Sequence, residues 1–244
     1  MTLQVFGDSY TTPDFLVDAK DSFWGLLAND LNTDIVNYSS PGFSFDSILH
    51  ILLNQTYDFR NDFFIIGIPP TCRESIYKED SGYNLHKTII NDTDIVTEPV
   101  SCLENIDNLK MDQYYERDYQ HLGYYFSCAW HDIKILEKIY LIYQYFKAQQ
   151  AKFVILNLSA PFVDQDAWPA GQYITKQVKQ LKECMIFENT YVSVNEQDGI
   201  KPPDFNQYGW QGHPGAEGNL NYYTKIVKPL VDQLSWKENT QEIK

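Results

Sequence analysis

Two residues near opposite ends of the chain have the types that nucleophilic catalysis needs. Ser9 lies in Gly7-Asp8-Ser9-Tyr10-Thr11, and His213 lies in Gly209-Trp210-Gln211-Gly212-His213-Pro214-Gly215. A serine hydroxyl is a weak nucleophile at neutral pH. It needs a base within hydrogen-bond reach, a group that orients the base, and donors aimed at the oxyanion that forms. Ser9 follows the apolar run Leu3 to Phe6 and two turn-forming residues. Its backbone amide can therefore face a cleft as an oxyanion donor while Asp8 holds the turn; the same tripeptide also serves as a helix-capping turn in unrelated proteins. His213 sits in a loop before the last apolar-periodic segment, where an imidazole is either held over a cleft or solvated. His50 and His131 fall in or beside helix-like segments, and His86 and His121 remain open alternatives in an irregular middle.

These residues need a scaffold, and the apolar pattern supplies one. Leu3 to Phe6, Asp34 to Tyr38, Phe63 to Ile66 and Lys152 to Leu158 read as strands, and Pro69-Pro70 stops the third. A further strand falls within Met185 to Val194. Helical spacing marks Ser22 to Leu31, Ser44 to Leu53, about Trp130 to Gln149, Gln172 to Glu183 and about Glu217 to Leu234, the last kinked or divided at Pro229. In the second of these, Ile48, Leu49, Leu52 and Leu53 form the apolar side. Alternating strands and helices predict an α/β fold, a three-layer α/β/α sandwich with a mainly parallel sheet. Ligands in such folds bind beyond the carboxyl ends of the strands. Residues 74 to 128 break the rhythm: they are polar, acidic and rich in tyrosine. They read as an insertion that shapes a cleft or as a partly helical surface excursion. The chain therefore reads as one domain over residues 1–236, with an irregular insertion at about 74–128 and a polar tail at 237–244.

Composition narrows the partners. The 244 residues carry 33 acidic and 19 basic side chains, a net charge of −14, so the field opposes nucleic acids and other polyanions. Neutral esters suit this balance better. No apolar stretch approaches a membrane span, and the first residues lack the pattern of a signal peptide, so a cytoplasmic or other soluble location is expected. Cys72, Cys102, Cys128 and Cys184 have no zinc-site spacing, and the acidic residues have no EF-hand spacing. The expectation is no metal and no cofactor.

With these residues in view, the chain resembles the SGNH, or GDSL-like, hydrolase family. Gly7 to Thr11 matches its first block, with Ser9 as nucleophile. Gly42, in Asn37-Tyr38-Ser39-Ser40-Pro41-Gly42, looks like the glycine whose amide joins the oxyanion hole, and His213-Pro214 looks like the base block. The resemblance implies the flavodoxin-like SGNH hydrolase fold. Its blocks lie in family order and anchor the two ends of the chain; the middle resembles no named family.

Two departures stand out. The family's third block reads Gly-x-Asn-Asp, but the chain has Gly67-Ile68-Pro69-Pro70, and proline offers no donor. Thr71 or Arg73 is then the candidate replacement; an oxyanion donor lost outright costs roughly 3 to 4 kcal/mol in the transition state. The family's aspartate three residues before the histidine is Trp210 here. The candidates to orient His213 are the Trp210 or Gln211 backbone carbonyl, Asp204, Asp164 and Asp166.

The expected activity is that of a serine esterase acting through an acyl-enzyme. The resemblance implies a small acyl group on a carbohydrate or other alcohol as substrate. An acyltransferase would use the same serine and histidine. A non-catalytic carbohydrate-binding or interaction module on the same fold fits the two departures. A flavodoxin-like cofactor binder fits less well, because the first turn has neither a Walker pattern nor GxGxxG.

Overall fold

The computed structural model describes residues 1–12, 18–40, 43–69, 75–78, 86–90, 95–99, 110–113, 128–158, 181, 184–186, 189–201 and 213–235. Its centre is a seven-stranded sheet. Strand β1 (Thr2–Phe6) lies between β2 (Asp34–Asn37) and β3 (Phe63–Ile68), and all three are parallel. Strands β4 (Ser75–Lys78) and β7 (Lys110–Gln113) form a separate antiparallel pair. Strand β5 (His86–Ile90) runs antiparallel to β2, and β6 (Ile95–Pro99) antiparallel to β5. On the other side, β8 (Lys152–Asn157) pairs in parallel with β3, and β9 (Met185–Ile186) with β8. The order is β6-β5-β2-β1-β3-β8-β9. Its five parallel strands, counted among themselves, run 2-1-3-4-5, a common order of doubly wound sheets.

Helices cover both faces because the parallel strands are apolar on both sides. Side chains alternate across the sheet: Phe6, Phe64, Ile66, Ile68 and Ile155 join one buried cluster, and Leu3, Val5, Ile65, Val154 and Leu156 the other. On the first face lie α2 (Phe45–Asn54) and α3 (Cys128–Gln149), through Ile48, Ile51, Leu136, Ile139 and Phe146. On the second lie α1 (Phe23–Leu31), α4 (Tyr191–Gln197) and the C-terminal helix, through Trp24, Leu27, Val194, Tyr222, Val227 and Leu230. The predicted α/β/α layering is thus present, with an antiparallel extension added at the β2 edge. Among the described residues no helix is long and apolar enough to cross a membrane.

Local chemistry sets the helix ends. Ser22 caps α1 by accepting the Gly25 N–H, and Ser44 caps α2 by accepting the Ser47 N–H. Leu53, expected on the apolar side of α2, is 55% exposed; Phe45, Ile48, Ile51 and Leu52 make the buried face. The expected strand between Met185 and Val194 is reduced to β9. A reciprocal capping box between Thr190 and Ser193 then starts α4, overriding the β-branched Val192 and Val194. The described parts of residues 74–113 are strands. The tail at 237–244 and the helix expected over 172–183, apart from Leu181, lie outside the described residues.

The C-terminal helix, expected to kink or divide at Pro229, is interrupted just before that residue by a change of winding. It runs as α5 (Ala216–Tyr222), a π-helical turn (Tyr223–Val227) and α6 (Lys228–Ser235). The Lys228 N–H reaches back five residues to the Tyr223 carbonyl. A proline in a regular α-helix has no N–H to give, and its ring strikes the carbonyl four residues earlier. Wider winding just before Pro229 opens that turn.

Candidate active site

The turn after β1 is built by Asp8. Its carbonyl accepts the Thr11 N–H at 3.0 Å, the Thr11 hydroxyl at 2.9 Å and the Thr12 hydroxyl at 3.0 Å. Its carboxylate accepts the Tyr10 N–H at 3.1 Å, an Asx-type closure that leaves Ser9 at the tip. Asp8 is wholly buried and Ser9 is 8% exposed. The turn sits tightly on its neighbours. A Cβ at Gly7 would collide with Thr11, and one at Gly67 would stand 2.5 Å from Leu158 Cδ1 and 3.2 Å from Thr11 Cγ2.

A second element clamps this turn. Asn37, the last residue of β2, donates to the Thr11 carbonyl at 2.7 Å and accepts the Ser39 N–H at 2.8 Å. One buried amide therefore joins the Ser9 turn to the loop after β2. In that loop Ser39 Oγ is buried without a hydrogen-bond partner among the described residues, as is Asn157 Nδ2 at the end of β8, beside Ile68 of β3.

His213 opens the segment leading into α5 and is half-buried. Its ring centroid lies 5.1 Å from that of Tyr10, the planes tilted by 41°. Ser9 and His213 thereby line one cleft, although more than two hundred residues separate them in sequence. The cleft encloses about 290 Å³ of space open to solvent. Its polar wall adds Thr12, Ser22 and Asn219, and its aromatic wall is Tyr10, Trp24 and Tyr191. No direct hydrogen bond joins Ser9 to His213 among the described residues; such bonds often close only when substrate binds.

The aromatic wall is rigid. Tyr191 meets Tyr10 edge-on at 5.8 Å, packs on Tyr222 at 4.8 Å and touches Phe23 at 5.6 Å. Burial pushes the Tyr191 phenol well above its ordinary range, with Tyr222 and Tyr10 adding to the shift and a hydrogen bond with Asn219 opposing it. Burial likewise holds the Tyr222 phenol far above its ordinary range. Both phenols stay neutral throughout any working pH and present hydroxyls and ring faces, not charge.

Of the site residues expected from sequence, the structure brings Ser9 and His213 together. Gly42, Thr71, Arg73, Asp164, Asp166, Asp204, Trp210 and Gln211 lie outside the described residues. Pro69 is buried directly after β3, and Gly67 and Ile68 belong to the strand itself. Sequence reasoning passed over Asn37 and Asn219. The available signal was a buried-type polar residue at the edge of an apolar pattern: Asn37 ends Ile35-Val36, and Asn219 precedes Tyr222, Tyr223 and Ile226 at helical spacing. Among the described residues no group of three or more His, Cys, Asp or Glu side chains gathers as a metal site would require.

No family model matches the chain, and no curated protein matches it. Several solved structures are similar to it, among them the following two. One, described as the crystal structure of TesA, is 15% identical with a TM-score of 0.49, over 94% of this chain and 99% of that one. The other is described as a carbohydrate esterase whose active site displays divergent catalytic and non-catalytic binding functions. It is 14% identical with a TM-score of 0.40, over 98% of this chain and 69% of that one.

Proposed function

We propose that the protein is a serine esterase of the SGNH type, removing a small acyl group from a carbohydrate or other alcohol through an acyl-enzyme. The observation that carries this reading is the shared cleft: a serine at a turn tip after β1 and a histidine before the last helix line the same small, open, partly aromatic space. Its position beyond the carboxyl ends of parallel strands is where ligands bind in doubly wound sheets.

In this mechanism Ser9 Oγ attacks the ester carbonyl while His213 takes the hydroxyl proton. The carbonyl π electrons move to the oxygen, and the Ser9 and Gly42 amides, with a donor from Thr71 or Arg73, hold the oxyanion. As the tetrahedral intermediate collapses, the C–O bond to the alcohol breaks and His213 returns the proton to the leaving oxygen. Water, deprotonated by His213, then attacks the acyl-enzyme and releases the acid and the free serine. A second alcohol in place of water would give acyl transfer with the same residues. The Trp210 or Gln211 carbonyl, Asp204, Asp164 or Asp166 would orient the imidazole.

The test is turnover of p-nitrophenyl acetate and covalent labelling by a fluorophosphonate in the natural protein, Ser9→Ala and His213→Ala. Labelling is expected to vanish in Ser9→Ala, and turnover to fall at least about a thousandfold in both variants. Equal labelling of Ser9→Ala and the natural protein sinks the nucleophile assignment. An inert natural protein that still binds acetylated saccharides favours the non-catalytic carbohydrate-binding reading, for which the Tyr10, Trp24 and Tyr191 wall is the supporting feature.

A further inference from the structure

Asparagine is a poor choice for a helix interior, because its side chain competes for nearby backbone groups. Asn219 nevertheless occupies the centre of α5 and is 4% exposed. Its amide nitrogen donates to the Pro214 carbonyl at 3.2 Å and to the Gly215 carbonyl at 3.1 Å. Its oxygen accepts the Phe23 N–H at 2.9 Å, one of the amides at the start of α1 that have no partner within the helix. The Tyr191 phenol also bonds to this side chain. Next to it, Gly218 lets the helix approach the loop: a Cβ there would stand 2.6 Å from Pro214 Cβ.

The two carbonyls that Asn219 grips belong to the residues directly after His213. Pro214 has its own φ fixed by the ring and restricts residue 213 to extended backbone. Between the anchored peptides and the imidazole there remain few soft torsions: ψ of Pro214, and ψ and the side-chain angles of His213. Tyr10, the neighbour of Ser9, closes the other side of the ring. We propose that Asn219 is the positioning residue that fixes the His213 loop over the Ser9 turn by tying it to the first amide of α1. This rests on the serine-hydrolase reading for its kinetic consequences, and on the hydrogen-bond geometry alone for its structural ones.

The experiment has two arms. In the natural protein, labelled on asparagine, the two Asn219 side-chain amide protons are expected to exchange with solvent at least about tenfold more slowly than those of the exposed Asn54. Exchange at the rate of Asn54 overturns the proposal without reference to activity, and decides it even if every variant fails to fold. The second arm is Asn219→Asp, which keeps the acceptor for Phe23 but loses both donors. With p-nitrophenyl acetate, kcat is expected to fall about 10- to 100-fold with KM within about threefold, the size of loss that misplacing a catalytic group brings. The acid limb of kcat/KM is expected to move to higher pH, because a carboxylate beside the loop favours the imidazolium. A folded Asn219→Asp protein with natural kcat and an unmoved acid limb overturns the proposal. If the natural protein neither turns over nor labels, the esterase reading falls, and the exchange arm still decides the role of Asn219.

Discussion

Replacing Asn37 should unfasten the Ser9 turn and cost a predictable amount of stability. Asn37 is 1% exposed, and both of its polar atoms bond to backbone: Nδ2 to the Thr11 carbonyl and Oδ1 to the Ser39 N–H. In Asn37→Ala both partners are left without the bond in a buried setting, since Thr11 is wholly buried and Ser39 is 8% exposed. Each orphaned group costs about 1–3 kcal/mol, so the pair should cost about 2–6 kcal/mol. At roughly 2–4 °C per kcal/mol for a chain of this size, Tm should fall by roughly 4–24 °C. Asn37→Asp separates the two bonds. It keeps an acceptor for Ser39 but sets a second carboxylate oxygen where Nδ2 stood 2.7 Å from the Thr11 carbonyl. That carboxyl is stabilised when protonated, because only then can it donate to Thr11, so its folded pKa lies above its unfolded value of about 3.9. The stabilising bond is present below the unfolded pKa and is lost as pH rises through the folded pKa. The gap between this variant and the natural protein should therefore narrow as pH falls from 7 toward 4. Urea unfolding at several pH values, followed by tryptophan fluorescence, measures both effects. An Asn37→Ala protein with an unchanged midpoint and slope would refute the clamp, as would a pH-independent gap for Asn37→Asp.

Two smaller changes probe the surroundings of the site. Gly67→Ala places a methyl 2.5 Å from Leu158 Cδ1 and presses on Thr11, so it should destabilise by about 1–3 kcal/mol in urea titration and slow Ser9 labelling; a neutral result means that the strand and turn can part freely. Burial lowers the pKa of His50 below its ordinary 6.5, so the folded state favours the neutral ring. That contribution is complete above the unfolded value and is lost as pH falls through the folded one, so the natural protein should lose more stability than His50→Gln between pH 7.5 and 5. Parallel unfolding midpoints for the two proteins would count against this assignment.

Much of the scaffold was legible because burial on both faces leaves a strong mark. Phe63-Phe64-Ile65-Ile66 and Lys152 to Leu158 read as covered strands, and apolar spacing marked the helices that Ser22 and Ser44 cap. The extension by β5 and β6 was not legible, because pairing of Ile89 with Val36 is a contact between distant segments that no local pattern encodes. Within Met185 to Val194 the expected strand is β9, and the Thr190–Ser193 capping box, whose residues were not read as a helix start, opens α4 after it. At the site, Ser9 and His213 were legible from residue type and flanking elements. Asn37 and Asn219 were not, since their value lies in which backbone groups the fold brings to them. The Phe23–Asn219 bond joins residues 196 apart in sequence.

The π-helical turn at Tyr223–Val227 has a consequence for insertion and deletion in this helix. Such a turn is an α-helix holding one residue more than its length requires. Tyr222 and Tyr223 before Lys228, and Leu230 and Val231 after it, all face the core, so the surplus residue is absorbed without turning either half away from the sheet. Removing one residue from the turn would keep both halves in phase but return the carbonyl before Pro229 to its collision with the ring. The extra residue and the proline are therefore a matched pair. A lineage could shed both together with little disturbance to the core, whereas losing the residue alone would meet the clash.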